Sequence, residues 1–360
     1  MYWIDPVTDR RWTEFVEAHT QASIFHTASW LEALRRTYGY RPMALTSCAP
    51  GKELDDGIPF CEVKSWISGA RVVSLPFSDH CQLLVETTDL PNFISYLDEY
   101  RSSGSRYIEI RPREMCWPLA KNDARCENQN QTLNPCICNF TACREYSLHK
   151  IDLRPDLPVI FNNFHESCIQ RKIRRAEREK LAYEAGRSDS ILEKFYRLLL
   201  MTRRRHRIPP QPRSWFRNLR DGFGDSFTIR TASKHSRPLA SILTLVHNKT
   251  VYYKYGCSDS AHHNLGVMPL LFWKTIQEEK ERGAQELDLG RSDVENAGLA
   301  TFKEHLGAVR SKLTYFRVGS CNSATAAGDL RLGTIVQTVF ARMPGGLAEL
   351  AGTMLYRHMG

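Results

Sequence analysis

The residues best suited to chemistry lie in the last third of the 360-residue chain. Asp288 stands between Leu287 and Leu289 and is followed by Gly290, where a substrate can approach the backbone. A carboxylate there can orient an amine or accept its proton. Strand alternation alone turns Asp288 away from its neighbours, so an outward-facing surface residue is the competing reading. Arg291 and Ser292 end the same stretch. Arginine suits bidentate recognition of phosphate or carboxylate, and strand ends are where α/β folds present ligands. A salt bridge from Arg291 to a neighbouring helix is the plainer alternative. Upstream, Tyr253, Lys254 and Tyr255 alternate on a predicted strand, which turns Lys254 away from both tyrosines. One face of that strand meets the core and the other can line a cleft. Lys254, Tyr255 and the following Asp259 are therefore candidate substrate contacts. Lys303 borders an apolar stripe of Leu299, Phe302 and Leu306 on a helix predicted over residues 295–306. From these residues alone it reads as a solvated lysine.

Other chemistries find less support. There is no GxSxG elbow, and Cys257 has no identifiable base beside it. His262 and His263 read as a solvated loop. Eleven cysteines are scattered without any CxxC, which fits reduced thiols and predicts no metal site. Their one dense patch, Cys116, Cys126, Cys136, Cys138 and Cys143, matches no familiar zinc spacing.

The net charge of +9 is unevenly placed. Arg171, Lys172, Arg174, Arg175, Arg178 and Lys180 fall close together, and Arg203, Arg204, Arg205 and Arg207 follow. Such clustering points to an anionic substrate or carrier: tRNA, a nucleotide-sugar or a lipid-linked precursor. Arg171 and Arg175 are the phosphate contacts expected from it. No stretch approaches the ~18 apolar residues of a membrane helix, and the first residues lack a secretory pattern. The expected location is cytoplasmic, with the inner face of a membrane as a further possibility. The tail is expected to dock onto the second module; a peripheral membrane contact through Arg331, Arg342 and Arg357 is the sharper alternative.

The elements that must position these groups form two similar series. In the first half, strands are predicted at residues 43–46, 58–63 and 71–75, then a helix at 91–100 and a strand at 107–110. In the second, strands at 226–231, 239–246 and 251–255 precede a helix from about Pro269 to Arg282, with Gly283 as its stop, and a strand at 287–289. Ser78-Asp79 and Ser258-Asp259 share an offset of 180, as do Arg111 and Arg291. The common order of elements supports an internal repeat. Between the series, Ile169, Ile173 and Ala176 mark an amphipathic basic helix, and a second helix covers residues 191–202. The expected fold is α/β with mixed sheets: two tandem modules across a cleft, plus C-terminal helices. The boundaries read as 1–150 for the first module and 151–222 for the basic helical region. Residues 223–320 form the second module core and 321–360 the tail.

Together these segments resemble the FemAB family of acyltransferases, associated with peptidoglycan interpeptide bridges and exopolysaccharide. The resemblance spans nearly the whole chain. Ser23-Ile24-Phe25-His26-Thr27-Ala28-Ser29-Trp30-Leu31 is similar to its opening helix. Arg171-Lys172-Ile173-Arg174-Arg175-Ala176 and Thr202-Arg203-Arg204-Arg205 with Pro209-Pro210-Gln211-Pro212 are similar to its central helices. The most specific stretches are Tyr253-Lys254-Tyr255-Gly256 and Gly266-Val267-Met268-Pro269-Leu270-Leu271-Phe272-Trp273. Leu287-Asp288-Leu289-Gly290-Arg291-Ser292, then Gly298-Leu299, Phe302-Lys303 and Gly307 complete it. Unlike the family's classical members, this chain has only a short basic helical region between modules.

The resemblance implies two acetyltransferase-like (GNAT-like) modules and transfer of an acyl or aminoacyl group onto an amine of a cell-envelope or polysaccharide precursor. It makes Lys303 a cationic contact near the transferred carbonyl, beside Asp288 as the other catalytic candidate read from the residues. No tightly bound cofactor is expected. The donor is a cosubstrate: aminoacyl-tRNA, an acyl carrier or acyl-CoA. Two further readings stay open, an N-acyltransferase using a thioester donor on a small acceptor, and a non-catalytic nucleic-acid-binding protein. Against the second, no aromatic residues interleave with the arginines as a stacking platform requires. Against simple coenzyme A use, the loop before Pro269 offers one glycine, where pyrophosphate binding needs several.

Overall fold

A computed structural model describes residues 1–65, 69–102, 104–114, 140–319, 352 and 354–358. Cys116, Cys126, Cys136, Cys138 and nearly all of the predicted tail lie outside the described residues. The chain divides into two compact units, Met1–Tyr146 with Leu313–Gly328 and Met354–Gly360, and Ser147–Lys312 with Asp329–Thr353.

In the first unit β1 (Tyr2–Ile4), α1 (Arg10–Ala18) and α2 (Ala28–Tyr38) precede β2 (Arg41–Thr46), β3 (Ile58–Ser65) and β4 (Gly69–Val73). Then come α3 (Leu90–Ser102) and β5 (Tyr107–Ile110). The alternating apolar residues of β2, β3 and β5 pack with Phe93, Ile94 and Leu97 of α3 into one core. The chain continues along β6 (Thr141–Asp152) into the second unit.

The second unit opens with α4 (Leu157–Asn162), a π-helical turn (Glu166–Gln170) and the basic helix α5 (Arg171–Arg178). Its apolar stripe behaves as the spacing predicts, with Ile169, Ile173 and Ala176 all buried. After β7 (Ala182–Gly186), helices α6 (Asp189–His206) and α7 (Arg213–Phe223) lead to β8 (Phe227–Lys234), β9 (Arg237–His247) and β10 (Thr250–Ser258). Next come α8 (Val267–Glu281), β11 (Glu286–Asp293) and α9 (Ala297–His305). Finally β12 (Val309–Gly319) carries the chain back to the first unit, where it pairs antiparallel with β5.

The architecture is mixed α/β, as expected. Within each unit one succession recurs: β2–β3–β4–α3–β5 in the first and β8–β9–β10–α8–β11 in the second. Pairing is antiparallel, antiparallel and then parallel in both. A parallel pair needs a crossover, and α3 and α8 supply it. Arg111 follows β5 directly and Arg291 lies within β11.

Candidate acyl-transfer site

The second unit contains a parting of two parallel strands. β10 and β11 pair through Thr250–Glu286, Val251–Leu287 and Tyr252–Asp288, and their register ends there. Both strands run on, β10 to Ser258 and β11 to Asp293. A bulge in β10 bends it at this point. Tyr253 pairs with Thr244 of β9 and Tyr255 with Leu243, so Lys254 is the inserted residue. This corrects the simple alternation expected for Tyr253, Lys254 and Tyr255. One extra residue reverses the faces, and the tyrosines point opposite ways. Tyr253 packs on Phe272 of α8, ring centroids 4.9 Å apart. Tyr255 meets Phe216 at 5.0 Å and accepts a hydrogen bond on its hydroxyl from Trp215 Nε1 at 2.8 Å. Tyr255 is thereby held in the α6–α7 side of the core, and the half-buried Lys254 sits on the bulge.

Asp288 is the last residue of β11 paired with β10 and is only 2 % exposed. The outward position inferred from alternation does not hold. Both faces of this strand are covered, and Leu287, Asp288 and Leu289 are all buried. Its Oδ1 accepts from Gly290 N at 2.7 Å, and Gly290 has φ of 69°, a conformation glycine adopts without strain. Lys303 is likewise no solvated lysine, at 3 % exposure. Its Nζ donates to Gly290 O at 2.8 Å and Arg291 O at 3.1 Å. The predicted stripe on α9 is rotated: Ala300 and Lys303 face inward and Leu299 is 37 % exposed. The carbonyls of β11 recruit the ammonium, since charge-assisted hydrogen bonds offset its desolvation. Asp288 and Lys303 are thus joined through Gly290, one holding its N–H and the other its C=O. Arg291 is half-buried beside them. Ser292 is buried, and its hydroxyl has no hydrogen-bond partner among the described residues.

The other candidates lie apart from this pair. Asp259 caps the 3-10 turn Ser260–Leu265, accepting from Ala261 N at 3.1 Å, and pairs with Arg237 at 2.7 Å. Burial alone would raise its pKa, but the Ala261 N–H and the Arg237 guanidinium lower it overall. Arg171 and Arg175 are exposed on α5, near Glu166 at 3.1 Å and Glu179 at 3.9 Å. That helix packs against α8 and the turn before it. A Cβ added to Gly266, which has φ of 74°, would stand 2.2 Å from Lys172 O, so the backbone of α5 lies against the N-terminal cap of α8. Pro269 removes a further N–H from that turn.

Three residues here escaped the sequence reading. Arg203, near the end of α6, has a buried Nε without a hydrogen-bond partner among the described residues, and its charge bears on Tyr253 and Cys257. Arg205 donates to Ser258 O at 3.2 Å. His149 of β6 is fully buried next to Lys303, Glu304 and Arg310. Burial, then the charge of Lys303, lowers its pKa and keeps it neutral. Only the clustering of Arg203–Arg205 was visible beforehand. Burial pushes the Cys257 thiol far up, which agrees with its lack of a base.

The corresponding place in the first unit is filled. β4 and β5 pair at Val72–Ile108 and Val73–Glu109, and beyond them Arg111 Nη1 donates to Leu75 O at 2.6 Å and Ser78 O at 3.3 Å. Glu109 receives both Arg111 at 2.8 Å and Arg317 at 2.6 Å.

Residues 165–304 match the family described as acetyltransferase (GNAT) domain. The protein carries an acetyltransferase domain. With that domain it is an acyltransferase, and β8–β11, α8 and all but the last residue of α9 lie within the matched stretch. The fold is also similar to that of FemX, with a TM-score of 0.65 and 15% identity over 94% of this chain and 100% of that one. A conserved protein of unknown function from Bacteroides thetaiotaomicron is similar with a TM-score of 0.55 and 14% identity, over 88% of this chain and 99% of that one. The C-terminal domain of a protein from Agrobacterium fabrum described as a lysylphosphatidylglycerol synthetase gives 0.53 and 15%, over 91% and 95%. No curated protein matches the sequence. Among the described residues no helix is long and apolar enough to cross a membrane.

Proposed function

We propose that the protein transfers an acyl or aminoacyl group from a carrier-borne donor to an amine of a cell-envelope or polysaccharide precursor. The reaction takes place where β10 and β11 part. The observation that carries this reading is the joint hold of Asp288 and Lys303 on Gly290 at the root of that opening. Strands that separate offer backbone N–H and C=O groups to an extended ligand, here apart from those of Gly290, Arg291 and Ser258 that Asp288, Lys303, Thr202 and Arg205 already hold. Attack of a neutral amine on the acyl carbonyl forms an oxyanion and leaves a surplus proton on nitrogen. The carboxylate of Asp288 orients the amine and draws that proton away. The ammonium of Lys303 places positive charge near the oxyanion. The donor's alcohol or thiol then leaves with a proton, in one ternary complex and without a covalent enzyme intermediate.

The reading extends to the donor. Pyrophosphate at a helix N-terminus needs several free N–H groups. The packing of α5 on Gly266, together with Pro269, supports a donor other than acetyl-coenzyme A. Arg171, Arg174, Arg175 and Arg178 offer charge for a longer anion, such as tRNA or a phosphopantetheine carrier. The first unit, with the same strand order and a filled opening, acts in this reading as a second, non-catalytic copy of the fold. Calorimetric titration with an aminoacyl-tRNA, an acylated carrier protein and acetyl-coenzyme A tests the donor. Binding by one of the first two supports the proposal. Micromolar binding of acetyl-coenzyme A, with product formed on a small amine, overturns it.

A further inference from the structure

Three transition-metal donors meet where the start of the basic helical region touches the end of α9. His165, Cys168 and His305 each offer one ligand atom, and these atoms all lie within 4.8 Å of one another. The backbone brings them together. His165 N donates to His305 O at 2.8 Å, which holds the end of α9 against the start of the π-helical turn. The two imidazole rings stand with centroids 4.2 Å apart. A Cβ on Gly307 would lie 3.3 Å from Asn163 O, so the junction is tight on its far side as well. The turn puts His165 and Cys168 three residues apart on one side.

The geometry points to a zinc-class divalent cation site formed by His165, Cys168 and His305. Donor chemistry supports that class, because two imidazoles and a thiolate suit a borderline-soft ion and not calcium or magnesium. The tautomer of His165 is already set. Its Nδ1 accepts from the backbone N–H of Cys168 at 3.3 Å and lies 3.3 Å from Ser167 Oγ, so a lone pair points into the turn. That bond is long, and the ion replaces it. Zinc holds imidazole at about 2.0–2.1 Å and thiolate at about 2.3 Å, so tetrahedral donors stand about 3.4–3.6 Å apart. Side-chain rotation closes the remaining distance, since His165 is exposed and the other two are half-buried. On binding, the Cys168 thiol releases its proton to solvent. Glu166 pairs with Arg171 at 3.1 Å, which leaves the fourth position to water. The ion would pin the start of the basic region to α9, two residues beyond Lys303.

The inference stands apart from the acyl-transfer reading and is tested without an activity assay. Cobalt(II) is titrated into the reduced full-length chain and its absorption recorded. The expected result is one ion per chain, with visible bands of a tetrahedral site and a near-ultraviolet thiolate-to-cobalt band. C168S should abolish the thiolate band, and H305A should weaken binding at least tenfold while both variants keep the wild-type circular dichroism. Zinc should compete for the site and raise the melting temperature of wild type but not of H305A. Absence of tetrahedral cobalt bands, or a thiolate band unchanged in C168S, overturns the proposal and assigns any uptake to other cysteines.

Discussion

Lys303 and Asp288 reach Gly290 from opposite sides, and that shared contact sets what each substitution should do. Lys303→Met keeps the length of the side chain and removes the charge. Turnover should fall about 100-fold or more, as for loss of one oxyanion-stabilising group. Stability should fall by about 1–3 kcal/mol, because the carbonyls of Gly290 and Arg291 lose a buried donor. Steady-state kinetics with thermal melts checks both. Ser292→Ala should leave stability unchanged or slightly higher, since its hydroxyl is unsatisfied in the chain alone; weaker substrate binding by this variant would give that hydroxyl a ligand. His149 supplies a pH dependence. Its folded pKa is depressed, first by burial and then by Lys303. The contribution is therefore fully present above the unfolded value of about 6.5 and is lost as pH falls below it. Denaturation followed between pH 7.5 and 5 should show this slope, reduced in His149→Phe. Asp288 stood out in the sequence because a lone carboxylate between leucines is conspicuous, but its burial did not, since alternation alone turns it outward. The burial of Lys303 was not legible either, because it is decided by two carbonyls arriving from β11, which no helical periodicity records.

The strands and helices around the opening were legible to different degrees. Residues 107–110 and the helix from Val267 were visible as an apolar run ended by Arg111-Pro112 and as a helix with Pro in its first turn and Gly283 as its stop. The bulge at Lys254 was not, since no glycine or proline marks it, and it alone reverses which tyrosine faces α8. The strands at Thr141–Asp152 and Val309–Gly319 were also missed, because charged residues interrupt their apolar alternation. The contact of α5 with α8 gives a prediction at this scale. Gly266→Ala meets Lys172 O and forces alanine into a left-handed conformation, and should cost about 1–3 kcal/mol. Donor binding should weaken with it, since α5 would be displaced. Chemical denaturation alongside calorimetry checks this. Replacing Arg171, Arg174, Arg175 and Arg178 by Gln should flatten the salt dependence of donor affinity. An unchanged slope would assign these arginines to solvation of the helix face.

For the molecule as a whole, the strand order repeats while Arg111 fills the parting of the first unit, which under the proposed function implies a division of labour. Glu109 makes the first unit's share measurable. Burial acts to raise its pKa, but the guanidinium groups of Arg111 and Arg317 prevail and hold it below the usual carboxylate value. Its contribution is present above the unfolded pKa of about 4.3 and is lost as pH falls through the lower folded value. Glu109→Gln should destabilise the chain by about 3 kcal/mol, since the buried guanidinium of Arg111 and the half-buried one of Arg317 lose their partner. The turnover of the fraction that stays folded should not change. The recurring order of strands and helix was legible in the sequence. That Arg111 fills the parting of the first unit was not, because it depends on where one side chain goes.

The central claim, that ligands enter the parting of β10 and β11, is tested most directly by amide hydrogen exchange. Exchange is recorded for the full chain alone and with saturating aminoacyl-tRNA, acylated carrier protein or acyl-coenzyme A. The account predicts that the donor the protein uses slows exchange at residues 253–258 and 289–293, while residues 72–75 and 108–111 of the first unit are unchanged. Protection confined to the first unit, or a productive donor that leaves both second-unit segments unprotected, would contradict it.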